Sequence, residues 1–339
     1  MLTNLEELSM LDGVSGNEDA VRKYICNIIK DKCEYHIDNL GNVIAFKKGN
    51  KRPKNKLMLA AHMDEVGLIV TDVADDGTLK ISSVGGVEPG VVIGRRVTVG
   101  KNKIKGVIGA KAVHNLTAEE KSKAVTMESL YVDIGTVKRF ESFDVLERGD
   151  IISFVSEYIC FGEDKIKGKA LDDRIGCAIM LDLINSSLEY DTWFAFTVQE
   201  EIGLRGARTA AFAVQPDFAI VLEATTAADI AGVSGEKRVC ALGGGAVVSF
   251  MDRSTMYDRE LYKLAFDTAA ESDIKCQTKT VVAGGNDSGA IHISGSGIRT
   301  LAISAPCRYL HSPSCVVQRS DLLACEMLAS LLMPKVCCL

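Results

Sequence analysis

The chain has 339 residues, 47% of them hydrophobic, and its formal net charge is −6. This length exceeds the usual size of one domain and supplies enough apolar side chains for a core, so we expect a globular protein of two domains. The acidic balance argues against nucleic acid as a partner, since the one basic block, residues 47–56, is typical of a solvated loop.

The N-terminus lacks a basic start followed by an apolar core, and no uninterrupted apolar run is long enough to cross a bilayer. We therefore expect a cytoplasmic protein without membrane contact. The chain has 11 cysteines, which stand singly in apolar segments apart from Cys337-Cys338 and lack metal-ligand or disulfide spacing. We interpret them as small buried hydrophobic residues.

The first part of the chain alternates helix and strand. Its predicted elements are a helix over 17–32 and strands over 34–38, 42–47 and 56–61. Ser15 or Asn17 is placed to cap the helix, and Asn39-Leu40-Gly41 predicts a hairpin between the first two strands. The last strand ends beside His62.

The pattern changes from Leu68 to about Phe161. Short β-branched runs separated by glycine-rich or charged turns lie at 79–84, 91–99, 103–110, 129–134 and 150–155. We expect a small β-rich domain at 68–161, inserted into a discontinuous domain made of 1–67 and 162–339.

The α/β pattern resumes at Leu171. The predicted elements are helices over 174–184, 207–214, 259–272 and 320–333, and strands over 193–198, 218–222, 246–250, 277–282 and 298–304. Strand, helix and strand at this spacing predict a parallel or mixed sheet. The predicted fold class is therefore α/β, a mixed sheet with helices on both faces plus the inserted domain.

Polar residues with metal-binding chemistry follow these strands. His62 and Asp64 form an i, i+2 pair on one face, so the imidazole can bind a metal ion while the carboxylate orients it. Asp172-Asp173 lies at a helix start, where ordinary capping accounts for one aspartate. With a metal nearby, one of the two could bridge two ions while the other caps the helix or binds Arg174. A lone His-x-Asp or a capping aspartate is more often structural.

Glu200-Glu201 lies at the end of a buried strand, where two adjacent carboxylates repel unless a cation or a shared proton offsets the cost. One would face an ion, and the other would deprotonate a bound water. Glu223 ends the strand over 218–222, and His311 follows the strand over 298–304. Taken alone, each fits an ordinary loop residue.

These residues together are stronger evidence for a metal site than any one of them, because ligands of open α/β sheets bind at the carboxyl ends of strands. Two histidines and three carboxylates suit two divalent ions, with zinc favoured, cobalt as the alternative, and magnesium disfavoured because imidazole is present. Three other histidines are not accompanied by candidate ligands and are predicted to be structural or exposed: His36, His114 and His292. The loop 284–289 predicts a tight turn in which Asp287 caps a short helix and borders the pocket.

Five ordered segments, 60–67, 170–174, 199–207, 284–289 and 308–313, resemble the signature motifs of the M42 family of dinuclear metalloaminopeptidases. Residues 11–18 and 132–135 also resemble this family, so the resemblance covers nearly the whole chain. It implies an aminopeptidase fold with an inserted PDZ-like β domain that helps build tetrahedral dodecamers, and short peptides as substrates.

Carried over by position, the resemblance implies five metal ligands, with Asp172 bridging: His62, Asp172, Glu201, Glu223 and His311. It also implies Glu200 as the general base and Asp64 as the residue that positions His62. Glu223 departs from the aspartate of many members, and Asn286 from a common threonine.

Three alternatives stay open from the sequence. A glycoside hydrolase of the endoglucanase type also uses paired carboxylates, and some M42 members are labelled cellulase, but such an enzyme needs no strand-end histidines. A deacylase or carboxypeptidase with a similar metal centre would prefer blocked or C-terminal substrates. A non-catalytic assembly protein would have a degraded set of ligands.

Overall fold

The computed structural model describes residues 1–339, apart from the side chains of Phe140 and Glu236. Its strands are β1 (Glu34–Ile37), β2 (Val43–Lys47), β3 (Leu57–His62), β4 (Gly67–Val73), β5 (Leu79–Val84), β6 (Arg96–Val99), β7 (Ile104–Ala110), β8 (Leu130–Asp133), β9 (Ile151–Phe154), β10 (Ile159–Phe161), β11 (Lys165–Gly168), β12 (Thr192–Thr197), β13 (Phe218–Thr226), β14 (Ala246–Val248), β15 (Cys276–Thr278), β16 (Arg299–Cys307) and β17 (Cys315–Gln318).

The α-helices are α1 (Leu2–Met10), α2 (Asp19–Ile29), α3 (Pro89–Val92), α4 (Ala118–Ser122), α5 (Arg139–Phe143), α6 (Leu171–Asn185), α7 (Arg205–Val214), α8 (Arg259–Glu271), α9 (Ser288–Ile291) and α10 (Arg319–Cys337). Short 3₁₀ turns occur at Val113–Asn115, Met127–Ser129 and Gly235–Arg238. None of the helices described is both long and apolar enough to cross a bilayer.

One large sheet has the strand order β1-β2-β12-β3-β13-β16-β14-β15. At its centre β3 pairs in parallel with β12 and β13, and β13 pairs in parallel with β16. Three other pairs are antiparallel: β1 with β2, β2 with β12, and β14 with β16. The sheet is therefore mixed, which confirms the prediction.

Helices cover both faces of this sheet. Leu57, Leu59 and Ala61 of β3 pack in one cluster with side chains of α2, α6, α8 and α10. The alternate residues Met58 and Ala60 pack in a second cluster with α7. Because both faces are covered, every residue of β3 is buried, which is why the strand is a continuous apolar run in the sequence.

Between β3 and α6 the chain forms a closed barrel of β4-β5-β8-β7-β6-β9 with its own apolar core. A strand was expected over 91–99, but residues 89–92 form α3 and the strand begins only at Arg96. The division at 68–161 stays a prediction: the barrel strands run from Gly67 to Phe154, while β10 pairs with β11 in a small sheet that also contains β17.

Two sequence expectations near the N-terminus differ from the structure. Helix α2 has Glu18 at its N-cap position and lacks a side-chain cap, so neither Ser15 nor Asn17 caps it. The Ser15 hydroxyl instead donates to Asp64 Oδ2 at 2.5 Å. A hairpin does connect β1 and β2, as expected.

The burial of the cysteines follows the prediction only in part. Six of them are buried, and Cys26, Cys33 and Cys276 are half-buried. The prediction is wrong for Cys160 and Cys338, which are exposed.

Candidate metal centre

The parallel strands at the middle of the sheet place their carboxyl ends at one edge, and most of the predicted site residues lie there. His62 is the last residue of β3, and Glu200 and Glu201 follow the end of β12 after a gap of two residues. Glu223 was expected to end its strand, but it lies inside β13, where it pairs with Ser304 of β16. The strand is longer than its apolar run because this pairing continues through Thr226.

His62 is buried and has different neighbours on its two ring nitrogens. Its Nε2 lies 3.2 Å from Asp172 Oδ1 and 3.7 Å from Glu223 Oε1. Its Nδ1 lies 3.0 Å from the Asp64 carbonyl oxygen and 3.4 Å from Asp64 Oδ1. A proton on Nδ1 therefore satisfies Asp64 and leaves the Nε2 lone pair directed at the other carboxylates.

His311 lies across the same group of carboxylates, on the loop between β16 and β17. Its Nε2 is 3.3 Å from Asp172 Oδ2 and 3.3 Å from Glu201 Oε2. The two oxygens of Asp172 thus face different histidines. The side chain of His311 is 34% exposed, so it lies at the mouth of the site, while Asp172 lies inside.

Asp173 belongs to the same close group but is differently engaged. His62, Asp173 and Glu223 place ligand atoms within 4.8 Å of one another, as do His62, Asp172 and Glu201. Both Asp173 oxygens, however, accept backbone N–H groups, from Gly176 at 2.9 Å and from His62 at 3.3 Å. Asp173 has non-helical backbone angles, so the regular part of α6 begins after it, and its side chain caps that part. Asp172 is the aspartate whose oxygens face the histidines.

Arg174 does not pair with either aspartate. Its guanidinium donates to the carbonyl oxygens of Met63 at 2.8 Å, Leu8 at 2.5 Å and Leu11 at 3.3 Å. This buried arginine therefore holds α1 and the His62 segment together, and the carboxylate it pairs with is Glu65, whose Oε1 lies 3.7 Å from Nη2. Of the two alternatives for the second aspartate, the arginine contact is thus not the one formed.

The turn after β12 presents the adjacent glutamates. The backbone N–H groups of Glu200 and Glu201 donate to Asp64 Oδ1 at 3.0 Å and Oδ2 at 3.1 Å. Gln199 has a φ of +56°, which turns the chain sharply before the two residues. Asp64 therefore contacts both the His62 ring and the Glu200-Glu201 backbone.

The carboxyl groups of the site lie buried beside one another, which disfavours their ionised forms. Burial, together with neighbouring carboxylates, raises the pKa of Glu201 to about 8 and raises the pKa values of Glu200 and Glu223 well above the ordinary range. Burial opposes ionisation of Asp172 too, but contacts with His311 and His62 lower its pKa.

These residues fit a bound cation. Glu223 Oε2 is buried and has no hydrogen-bond partner among the described residues. Imidazole nitrogens and carboxylate oxygens are the donors that divalent transition metals and zinc accept, and a cation would offset the repulsion among the carboxylates.

Asp287 was expected to cap a short helix, and the structure corrects this. It occupies the N-cap position of α9, but its side chain makes no capping bond. Its buried Oδ2 instead lies 2.5 Å from the hydroxyl of Thr197, at the end of β12. Of the other histidines, His36 and His114 are exposed, and His292 contacts the Ser288 carbonyl oxygen, as predicted.

One contact of the site could not be predicted from the sequence. The Nδ1 atom of His311 lies 3.0 Å from the carbonyl oxygen of Gly86, in the segment that follows barrel strand β5. Val66 and Phe154, which pack in the barrel core, line the same cleft as Asp172 and Glu201. The barrel therefore forms one wall of the site.

A family model described as M42 glutamyl aminopeptidase matches residues 41–328. The chain belongs to this M42 family. M42 proteins are metal-dependent aminopeptidases, in agreement with the histidine and carboxylate group described above.

Individual relatives and solved structures match nearly the whole chain. A relative from Acetivibrio thermocellus is 40% identical over 325 residues, 95% of each chain. The lysyl aminopeptidase of Pyrococcus furiosus is 34% identical over 309 residues, 88% of this chain and 87% of the relative. The solved TET1 peptidase of Pyrococcus horikoshii superposes with a TM-score of 0.86 at 31% identity and covers 98% of both chains.

Proposed function

We propose that this M42 protein removes N-terminal residues from short peptides with a centre of two divalent metal ions. The observation that supports it most directly is the position of Asp172, whose Oδ1 faces His62 at 3.2 Å and whose Oδ2 faces His311 at 3.3 Å. A carboxylate whose two oxygens point at two separate imidazoles is placed to bridge two ions.

The proposed ligands divide into two sets around Asp172. Glu223 lies on the side of His62, at 3.7 Å, and Glu201 lies on the side of His311, at 3.3 Å. Zinc is the favoured metal and cobalt the alternative, because the set combines imidazole with carboxylate. Glu223 is one methylene longer than the aspartate common in the family, and its unpartnered Oε2 supports a ligand role at the longer reach.

When bound, the ions polarise the scissile carbonyl group and lower the pKa of a water in the site. Glu200 is the proposed general base: it accepts the proton of the attacking water and delivers it to the nitrogen of the leaving amine. Its backbone is fixed by Asp64 Oδ1, which supports a defined position for the base. Asp64 also contacts His62 Nδ1 and is proposed to set the orientation of that ring.

Selection for peptides with a free N-terminus is part of the proposal. A free amine has a lone pair that a bound divalent ion could accept, whereas the nitrogen of an acetylated N-terminus offers no such lone pair.

The barrel region 68–161 is proposed to be a PDZ-like domain that contributes to a homo-oligomer. The description of the Pyrococcus horikoshii TET1 peptidase, which can assemble into a tetrahedron or a large octahedral shell, supports assembly. A dodecamer and a cytoplasmic location are parts of the same proposal.

The proposal is tested by metal analysis combined with a panel of amino-acid p-nitroanilides, free and N-acetylated. We expect two zinc or cobalt ions per chain and hydrolysis of free anilides, lost with a chelator and restored by Zn²⁺ or Co²⁺. Release of acetate from the acetylated substrates, with no p-nitroaniline from the free anilides, would indicate a deacylase. Chelator-resistant cleavage of a β-glucan would indicate a glycoside hydrolase, and either result contradicts the proposal.

A further inference from the structure

The inserted barrel reaches the candidate metal centre through two consecutive glycines. A side chain at Gly85 would lie 3.2 Å from the Cβ of Glu201, and a side chain at Gly86 would lie 3.2 Å from His311 Nδ1. The absence of side chains therefore lets this backbone pass directly against two of the proposed ligands. Gly85 also has a φ of +82°, which glycine adopts without strain.

The carbonyl oxygen of Gly86 faces a ring nitrogen of His311 that points away from the carboxylates. The 3.0 Å distance to Nδ1 is that of a hydrogen bond, and a carbonyl oxygen can only accept. The proton of a neutral His311 is therefore on Nδ1. Its Nε2, 3.3 Å from both Asp172 and Glu201, is left as a lone pair directed into the site.

His62 has the same arrangement, but its partner comes from its own segment. The Asp64 carbonyl oxygen lies 3.0 Å from His62 Nδ1, two residues along the chain. His311 lies on a loop, is partly exposed, and takes the equivalent partner from a different part of the fold. Such partners of metal-binding histidines fix the tautomer and the ring direction.

We infer that Gly86 of the barrel is a positioning residue, which through its backbone carbonyl holds His311 in the tautomer and orientation that bind metal. This inference rests on the proposed ligand role of His311. It gives the barrel a direct part in the metal centre, in addition to any part in assembly.

The test is the substitution Gly86→Ala, with Gly90→Ala as its matched control. Gly86 lies outside the positive-φ residues, so alanine adds no backbone strain there, but its methyl group would crowd the His311 ring. At Gly90, in the same segment, the methyl group would meet, among the side chains described, only Glu88 Oε1, at an ordinary 3.7 Å. Co²⁺ is the probe, with affinity measured by chelator competition and geometry by visible absorption.

We expect Gly86→Ala to weaken one of the Co²⁺ sites by roughly 10–100-fold and to change its absorption spectrum, the usual effect of losing such a partner. Gly90→Ala should match the unsubstituted protein in both respects. If Gly86→Ala left the Co²⁺ affinity and spectrum unchanged while His311→Ala lost one ion, the inference about Gly86 would be overturned. The proposed ligand role of His311 would still stand. Full Co²⁺ binding in His311→Ala would overturn the proposed ligand role and this inference together.

A second measurement on the unsubstituted protein decides the case if Gly86→Ala fails to fold. Histidines labelled with ¹⁵N report which ring nitrogen carries the proton, and the His311 signal is identified by its loss in His311→Gln. We expect a protonated Nδ1 in the metal-loaded protein. A protonated Nε2 would contradict the inference.

Discussion

Asp64 Oδ1 accepts the backbone N–H of Glu200 at 3.0 Å, so the residue that lies against the His62 ring also holds the turn that carries the proposed base. Asp64 is completely buried, and Ser15 donates to its other oxygen. One carboxylate therefore fixes the relative positions of a proposed ligand and the proposed base.

Asp64→Asn should lower kcat/KM by roughly 10–100-fold, because an amide offers one acceptor oxygen where two backbone N–H groups and a hydroxyl now converge. Peptidase assays with a p-nitroanilide, together with metal content, check this. Asp76→Asn, in an exposed turn of the barrel, is the control and should leave activity unchanged. Normal kinetics in Asp64→Asn would show that its contacts are not needed for positioning.

Glu200→Gln should lower kcat by roughly 10²–10⁴-fold while the metal content stays near normal, since the amide cannot accept the proton of the attacking water. His62→Ala should instead lose metal. Steady-state kinetics and metal analysis of the two purified variants distinguish these roles. Retention of normal turnover in Glu200→Gln would remove Glu200 from the mechanism.

The metal-free protein should become less stable as the pH rises. Burial raises the pKa of Glu201 from 4.5 to about 8, so the folded state keeps a proton that the unfolded state releases. Burial lowers the pKa of His311, but its contacts with Asp172 and Glu201 outweigh this and raise the pKa from 6.5 to about 9. Both contributions are complete at low pH and are lost as the pH rises through the folded-state pKa values.

Thermal unfolding after chelation checks this, with a lower Tm expected at about pH 8.5 than at about pH 5.5. Bound Zn²⁺ or Co²⁺ should reduce or reverse the trend, because cations replace the protons and bind more tightly when the ligands are ionised. A Tm of the metal-free protein that rises over this range would contradict the assigned pKa directions.

Gly206→Ala should destabilise the protein by about 1–3 kcal/mol through overpacking. A methyl group there would overlap the Val198 carbonyl oxygen and the Asn42 side chain, which hold the turn between β12 and α7. Denaturant titration measures the change, with Gly90→Ala as the control. Equal stability of the two variants would mean that the turn relaxes freely.

The ends of buried parallel strands could be read from the sequence because their apolar runs stop where polar chemistry begins. His62 at the end of β3 and Glu200-Glu201 shortly after β12 follow this rule. Glu223 breaks it: β13 continues past its apolar run through pairing with β16, which a local pattern does not contain. The expected capping role of Asp287 was wrong for a similar reason, since its partner Thr197 lies 90 residues away in the chain.

The contact between Gly86 and His311 could not be predicted from the sequence. Gly86 contacts His311 through a backbone carbonyl, which every residue has, so its residue type does not reveal the contact. The Ser15 contact with Asp64 was missed because a serine before a helix is typical of a cap.

The central position of β3 has a consequence for the chain as it leaves the ribosome. Both neighbours of β3, the strands Thr192–Thr197 and Phe218–Thr226, are synthesised only after the whole barrel. Until then the nascent polypeptide carries a strand that is apolar from Leu57 to Ala61 and has two open edges, which is a template for intermolecular pairing.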